Sequence, residues 1–298
     1  MTFKHIYQKL AQKLALGLGV MTLGASLVGM VGCDQSTTNG GGMKANESLT
    51  PNDTKTTTAE SNTTNHAKIL KIAINTSMPP FVYLNDVGTP IGIDIDVIKS
   101  IGEKQGFGVE FFPMPWKNLF PSVEAGETDL AISGISFNAD RNQKYGLTKS
   151  YLYVPSAIVY KTDNPKFKGK SVAKLEDLKG TKVGAMEVAK QMIQMETVGG
   201  KENSTYTDTS FLAFKKVLNN EIDATFEDRQ LLEYYAKSYP KHKLKIVSYE
   251  TKENPESQQV IMTKKSNQEL LDKLNQGIDE LVKSGELKRI EEKWLNAQ

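Results

Sequence analysis

Residues 68–105 read KILKIAINTSMPPFVYLNDVGTPIGIDIDVIKSIGEKQ. Residues 69–74 (ILKIAI) form an apolar, β-branched run that reads as a strand, and Pro79-Pro80 stops it. Ile93, Val97, Ile98 and Ile101 then recur at helical spacing over 93–105, and Gly106 ends that helix. Strand, loop and helix in this order open an alternating chain. Strands are expected at 109–112, 129–133, 156–160, 182–186, 224–226, 244–247 and 260–263. Helices are expected at 119–125, 189–195, 211–218, 228–237, 267–283 and 286–295. Such alternation predicts an α/β protein with mostly parallel sheets covered on both faces. About 231 residues from Lys68 onward are many for one sheet of such short elements and suit two lobes. Ligands of open α/β sheets bind beyond the carboxyl ends of strands, so the residues after each strand are where function is to be sought.

Upstream of this segment the composition changes. Lys4, Lys9 and Lys13 precede an uncharged stretch of 18 residues at 14–31, followed by Gly32 and Cys33, the only cysteine of the 298-residue chain. A basic start, an apolar stretch and a small residue before a cleavage point are the layout of an export signal. The Cys33 context resembles a bacterial lipobox, which implies removal of residues 1–32 and lipidation of Cys33. The other reading is an uncleaved membrane anchor of marginal length. Asp34 after the cysteine resembles an inner-membrane retention signal of enteric-type lipoproteins, which favours the inner membrane if the cell has two. Residues 34–67 are rich in Thr, Asn, Ser and Gly and nearly free of apolar side chains. Such a segment does not bury enough surface to offset its ordering entropy and is expected to be a flexible tether spanning about 30–35 Å.

The charges narrow the function classes. The chain has 37 Lys+Arg against 35 Asp+Glu. Without the three lysines of the leader the balance is 34 against 35, a net charge of −1. No basic block stands out, so nucleic acid is not an expected partner. One cysteine excludes a disulfide framework and a Cys-based zinc site, and three isolated histidines (His5, His66 and His242) argue against a His-rich metal site. No GxSxG, Walker, GxGxxG or HExxH motif is present, and neither an enzyme activity nor a cofactor is expected.

Four stretches carry a resemblance. They are Pro80-Phe81 through Gly92-Ile93-Asp94-Ile95-Asp96; residues 115–121 (PWKNLFP) with 126–129 (GETD); residues 133–141 (SGISFNADR); and residues 221–228 (EIDATFED). Residues 284–286 (SGE) and 292–294 (EKW) add a matching ending. In this order and spacing they resemble the extracytoplasmic solute-binding proteins, family 3, of polar amino-acid ABC importers. The resemblance implies a two-lobed periplasmic-binding-protein type II fold of the Venus-flytrap kind, with two strands crossing the hinge. It places lobe 1 at 68–154 plus 258–298 and lobe 2 at 155–257. It also implies a monomer that binds an amino acid between its lobes and delivers it to a permease and ATPase, held to the membrane by its lipid and facing the periplasm or the outside.

The site residues follow from the same resemblance. Arg141 clamps the ligand carboxylate, as a guanidinium fork is able to do through two parallel bonds; its plainer reading is a surface ion pair with Asp140 or Glu127. Ser133, Gly134 and Ser136 position the ligand's charged groups. Asp228 takes the ammonium from the second lobe, against the plainer reading of a helix N-cap. Trp116 packs on the ligand's aliphatic or ring part, Asn75 and Met78 reach the side-chain pocket, and Phe81 is either a contact or structural. The chain departs from the family where a Gly-Thr-Thr-like run is replaced by Val188-Ala189-Lys190, and Lys190 is either a substitute point charge or a solvated side chain. Met78 stands where several relatives carry a stacking aromatic. Glu187, Glu227 and Asp94 are extra acids that favour a cationic ligand, Asp94 being the more structural of them. Two other readings use the same module. One is an enzyme resembling cyclohexadienyl dehydratases, with Glu187 or Glu227 as the acid. The other is a sensor or surface antigen, against which the chain's end at Gln298, with no further domain, is set.

Overall fold

The computed structural model describes residues 68–295. The leader, Cys33 and the 34–67 segment lie outside the described residues. The chain enters on β1 (Lys68–Ile74), with Ile72 and Ile74 fully buried. Three short strands, β2 (Ser77–Met78), β3 (Val82–Leu84) and β4 (Pro90–Ile91), pair antiparallel as a small separate sheet. Helix α1 (Ile93–Gln105) buries Ile93, Ile95, Val97, Ile98 and Ile101 and is closed by left-handed Gly106. At its start, Gly92 (φ 132°) is required: a Cβ there would stand 2.1 Å from the Phe81 carbonyl oxygen. Strand β5 (Phe107–Pro113) returns parallel to β1, and α2 (Trp116–Ala125) leads to β6 (Leu130–Ala131), parallel to β1 on its other side. Helix α3 (Ala139–Lys144) and β7 (Tyr145–Leu147) complete the first pass.

The chain crosses on β8 (Leu152–Tyr153) into a second sheet. There it lays down β9 (Ser156–Lys161), β10 (Val183–Met186), α4 (Lys190–Gly199), β11 (Ser204–Thr207) and α5 (Ser210–Leu218). Strand β12 (Ala224–Asp228), α6 (Arg229–Lys237) and β13 (Leu244–Ser248) follow. It returns on β14 (Gln258–Gln259), which pairs antiparallel with β8, and ends in β15 (Met262–Lys264), α7 (Gln268–Lys283) and α8 (Glu286–Leu295). Two five-stranded sheets, β5-β1-β6-β15-β7 and β11-β10-β12-β9-β13, therefore form two lobes joined by the β8–β14 pair. This is the two-lobed α/β arrangement with two crossing strands expected from the sequence.

The sheets are less parallel than expected. Strand β9 runs against β12 and β13, and β15 runs against β6 and β7. Each is the first strand laid down after a crossing, so it enters its sheet from the opposite direction. The 129–133 and 260–263 strands are also shorter than expected. Val260 N–H donates to the Ile135 carbonyl and Ile261 N–H to Thr148 Oγ1, so these two residues are bonded to loops and β15 joins its sheet only from Met262. The main apolar core runs from the first sheet into Phe214, Leu231, Leu232 and Tyr235 of the second lobe. Tyr235 Oη donates to the Ser77 carbonyl at 3.1 Å, and the Tyr83 and Tyr234 rings meet at 5.6 Å. The two lobes are thus held against each other.

Candidate functional site

The loops that follow the strands converge between the lobes. The first lobe contributes Met78, Trp116, Gly134, Ser136 and Arg141 to one cleft, and the second contributes Met186, Ala189, Lys190, Gln191, Glu227 and Asp228. The closed cleft holds about 10 Å³, close to the least volume that takes one water. Of the side chains expected here, Met78, Trp116, Gly134, Ser136, Arg141, Lys190 and Asp228 come together, while Asn75, Phe81 and Ser133 stand outside the lining.

Gly134 is left-handed (φ 63°), and a Cβ on it would press the Phe81 ring at 3.1 Å. Its N–H donates to Asp94 Oδ2 at 2.6 Å, and Asp94 Oδ1 accepts from Tyr151 Oη at 2.8 Å. Burial raises the Asp94 carboxyl to about 6, the two hydrogen bonds opposing it. Asp94 is a brace under the loop, which agrees with its structural reading. Gly134 N–H is occupied by that brace and is not a donor for a ligand. Phe81 is fully buried beneath the same loop, where its carbonyl accepts from Asp94 N–H. The Ser133 hydroxyl donates to the Asn75 carbonyl and accepts from Asn75 N–H, tying the ends of β6 and β1 rather than facing the cleft.

Arg141 is set on α3 by Asn138, whose Oδ1 accepts the N–H groups of Asp140 and Arg141. Its guanidinium lies 4.8 Å from the Phe120 ring centroid and 5.9 Å from that of Trp116. It donates to Ser136 O at 3.1 Å and, across the cleft, to Val188 O at 3.4 Å. Val188 itself is left-handed (φ 64°), a strained conformation for a β-branched residue that turns this carbonyl toward the arginine.

Asp228 ends β12 and occupies the N-cap position of α6, but its side chain makes no capping bond. It accepts instead from Gln259 Nε2 at 3.1 Å and Gln191 Nε2 at 3.4 Å. Burial lifts it to about 6, with Lys190 lowering it, Glu250 raising it, and Gln259 and Arg141 lowering it. Its neighbour Glu227 is raised further, to about 8, by burial first and then by the Asp228 charge; Ser210 Oγ donates to it at 2.7 Å. Glu227 is therefore mainly protonated at neutral pH.

Lys190 corrects the expectation most clearly. It is neither solvated nor a free point charge: Nζ meets Glu250 Oε2 at 3.1 Å and Glu256 O at 2.6 Å. The residues not foreseen are Gln191, Gln259 and Glu250. The alternation of β14 puts Gln259 inward and its neighbour outward, but two adjacent glutamines gave no sign of which faced the cleft. Asn75 lines a separate cavity of about 540 Å³ that shares Trp116 with the cleft.

Residues 70–297 match the family model described as bacterial extracellular solute-binding proteins, family 3. The chain belongs to that family. Among relatives of this solute-binding protein, a probable histidine-binding protein of Neisseria gonorrhoeae is 24% identical over 234 residues, covering 78% of this chain and 84% of the relative. The solved structure of an ancestral arginine-binding protein bound to arginine is 30% identical, covers 76% of this chain and 97% of that one, and has a TM-score of 0.68. An ancestral amino-acid-binding protein described as a precursor of cyclohexadienyl dehydratase is 25% identical, covers 76% and 95%, and has a TM-score of 0.66. Among the described residues no helix is long and apolar enough to cross a membrane.

Proposed function

We propose that this solute-binding protein holds an amino acid between its lobes and presents it to the permease of an ABC importer. The observation that supports this most is the placement of Arg141 and Asp228 on opposite lobes of one cleft. A zwitterion takes both: its carboxylate replaces Ser136 O and Val188 O as the partner of the guanidinium, and its ammonium meets the Asp228 carboxylate. Trp116 and Met78 pack on the carbon skeleton. An opened form admits the ligand, and contacts made to both lobes at once then favour closure. The relatives named for arginine and histidine binding support an amino-acid ligand. In this reading lobe 1 is residues 68–154 plus 258–298, lobe 2 is 155–257, and Cys33 carries the lipid that keeps a monomer at the outer face of its membrane; a Cys33→Ser protein released from membranes supports the anchor, and one retained contradicts it.

Mass spectrometry of small molecules released from the purified, denatured protein tests the function. An α-amino acid near one per chain is expected; a sugar, peptide or metal chelate in its place contradicts the reading. A second reading draws on Glu227, a neutral buried acid in the cleft able to protonate a leaving hydroxyl, and on the similarity to a dehydratase precursor. Turnover of prephenate or arogenate that is lost in Glu227→Gln would favour it.

A further inference from the structure

Two carboxyl groups stand side by side in the cleft where β12 ends and α6 begins. Glu227 and Asp228 are each 2% exposed, and both line it. Their hydrogen-bond partners are neutral: Ser210 Oγ for Glu227, and the amides of Gln259 and Gln191 for Asp228. The cation that faces both from α4, Lys190, is already bonded to Glu250, and Arg141 faces Asp228 from the first lobe. Two phenols also face Glu227, Tyr235 of α6 and Tyr249 beyond β13, and burial holds both above their ordinary range and so neutral. Ala157 of β9 stands opposite Glu227 in register, and Met186 of β10 lines the same cleft. Like charges side by side with neutral partners disfavour double ionisation, so one carboxyl keeps its proton. That one is Glu227, which burial and the Asp228 charge raise to about 8. Asp228, Ser210, Lys190, Tyr235 and Tyr249 come from the second lobe, as Glu227 does, so opening the cleft leaves these neighbours in place.

We propose, on the footing of the amino-acid-binding reading above, that Glu227 is a further residue of the ligand site and that its proton is exchanged for the ligand's ammonium. The ammonium that meets Asp228 comes to rest beside Glu227. Its positive charge cancels the Asp228 charge that holds the proton, and it favours the ionised carboxyl directly. The O–H bond of Glu227 breaks, its electron pair stays on the carboxylate, and the proton leaves to the buffer; nothing is oxidised or reduced. Two carboxylates then share the ammonium where one had met it before. By linkage, an amino acid that expels a proton binds more tightly as pH rises through the range in which the empty site holds that proton.

Titration calorimetry tests this with the tightest binder among the twenty common L-amino acids, run at about pH 7 in buffers of different ionisation enthalpy. The dependence of the measured heat on that enthalpy counts the protons released. The parent is expected to release about half a proton or more per amino acid bound, and Glu227→Gln almost none. Comparing the two proteins with one amino acid removes any proton that the amino acid itself exchanges. Between about pH 6.5 and 8 the affinity of the parent is expected to rise about threefold or more, and that of Glu227→Gln less than about twofold. No release by the parent, uptake in place of release, or release unchanged in Glu227→Gln overturns this inference and leaves the amino-acid-binding reading standing. If none of the twenty binds, both fall together.

Discussion

The Lys190 ammonium and the Glu250 carboxylate meet at 3.1 Å with each side chain 3% exposed. Glu250 Oε2 also accepts from Ser156 N–H at 2.9 Å and Ser257 Oγ at 3.2 Å, so the pair ties the start of α4 to the start of β9 and to the return crossing. Removing one partner leaves a buried charge without compensation, which costs about 3–5 kcal/mol, whereas replacing both with apolar groups is often neutral. Lys190→Met and Glu250→Gln are each expected to lower the urea midpoint markedly, and Lys190→Met combined with Glu250→Leu to recover much of the loss. Burial pushes the Glu250 carboxyl up, but the Lys190 charge and the hydrogen bonds outweigh it and hold it below its ordinary value. This contribution is therefore present above the ordinary carboxylate range and lost as pH falls through the depressed folded value.

Glu227 has the opposite sign. With its carboxyl raised from 4.5 to about 8, the folded protein binds the proton that the unfolded chain has released between those values. Stability from this group falls as pH rises from about 4.5 to about 8 and levels beyond. Glu227→Gln mimics the protonated acid and keeps an oxygen for Ser210. Its stability relative to the parent is expected to be near zero at pH 4.5 and to climb toward pH 8. A flat difference between the two denaturation series across that range would show the carboxyl to be ionised throughout.

Asp94 supports the loop that carries Gly134. In Asp94→Ala the Gly134 N–H and Tyr151 hydroxyl lose their acceptor, and each buried donor left unsatisfied costs about 1–3 kcal/mol. Asp94→Asn is milder, because its oxygen still takes the Gly134 N–H while its amide donates to the Tyr151 oxygen. Thermal unfolding is expected to rank them parent, Asn, Ala, with Ala well below the other two; equal midpoints for Asn and Ala would mean the brace is not carried by hydrogen bonds.

Much of this was legible in the sequence. The apolar periodicity of 69–74 and 93–105 and the capping Gly106 fixed the first β-α unit, because those signals are local. The small-residue loop before Arg141 and the acids at the end of β12 marked the cleft by their place after strands. Three expectations gave way to contacts that no local pattern encodes. Ser133 turned to Asn75, 58 residues away in sequence, and Gly134 N–H to Asp94, 40 residues away. Lys190 found Glu250 across a separation of 60 residues. In each case a buried polar group took a partner from a distant stretch of its own lobe, and that partner was set by topology rather than by neighbours along the chain.

The central claim is that Arg141 and Asp228 hold the two ends of one zwitterion, and the measurement that tests it most directly is titration calorimetry of the copurifying amino acid with the parent, Arg141→Ala and Asp228→Asn proteins. Each substitution is expected to weaken binding by about 2 kcal/mol or more, roughly thirtyfold, because the opposite ligand charge is left buried without its partner. Affinity unchanged in either folded variant would contradict the account.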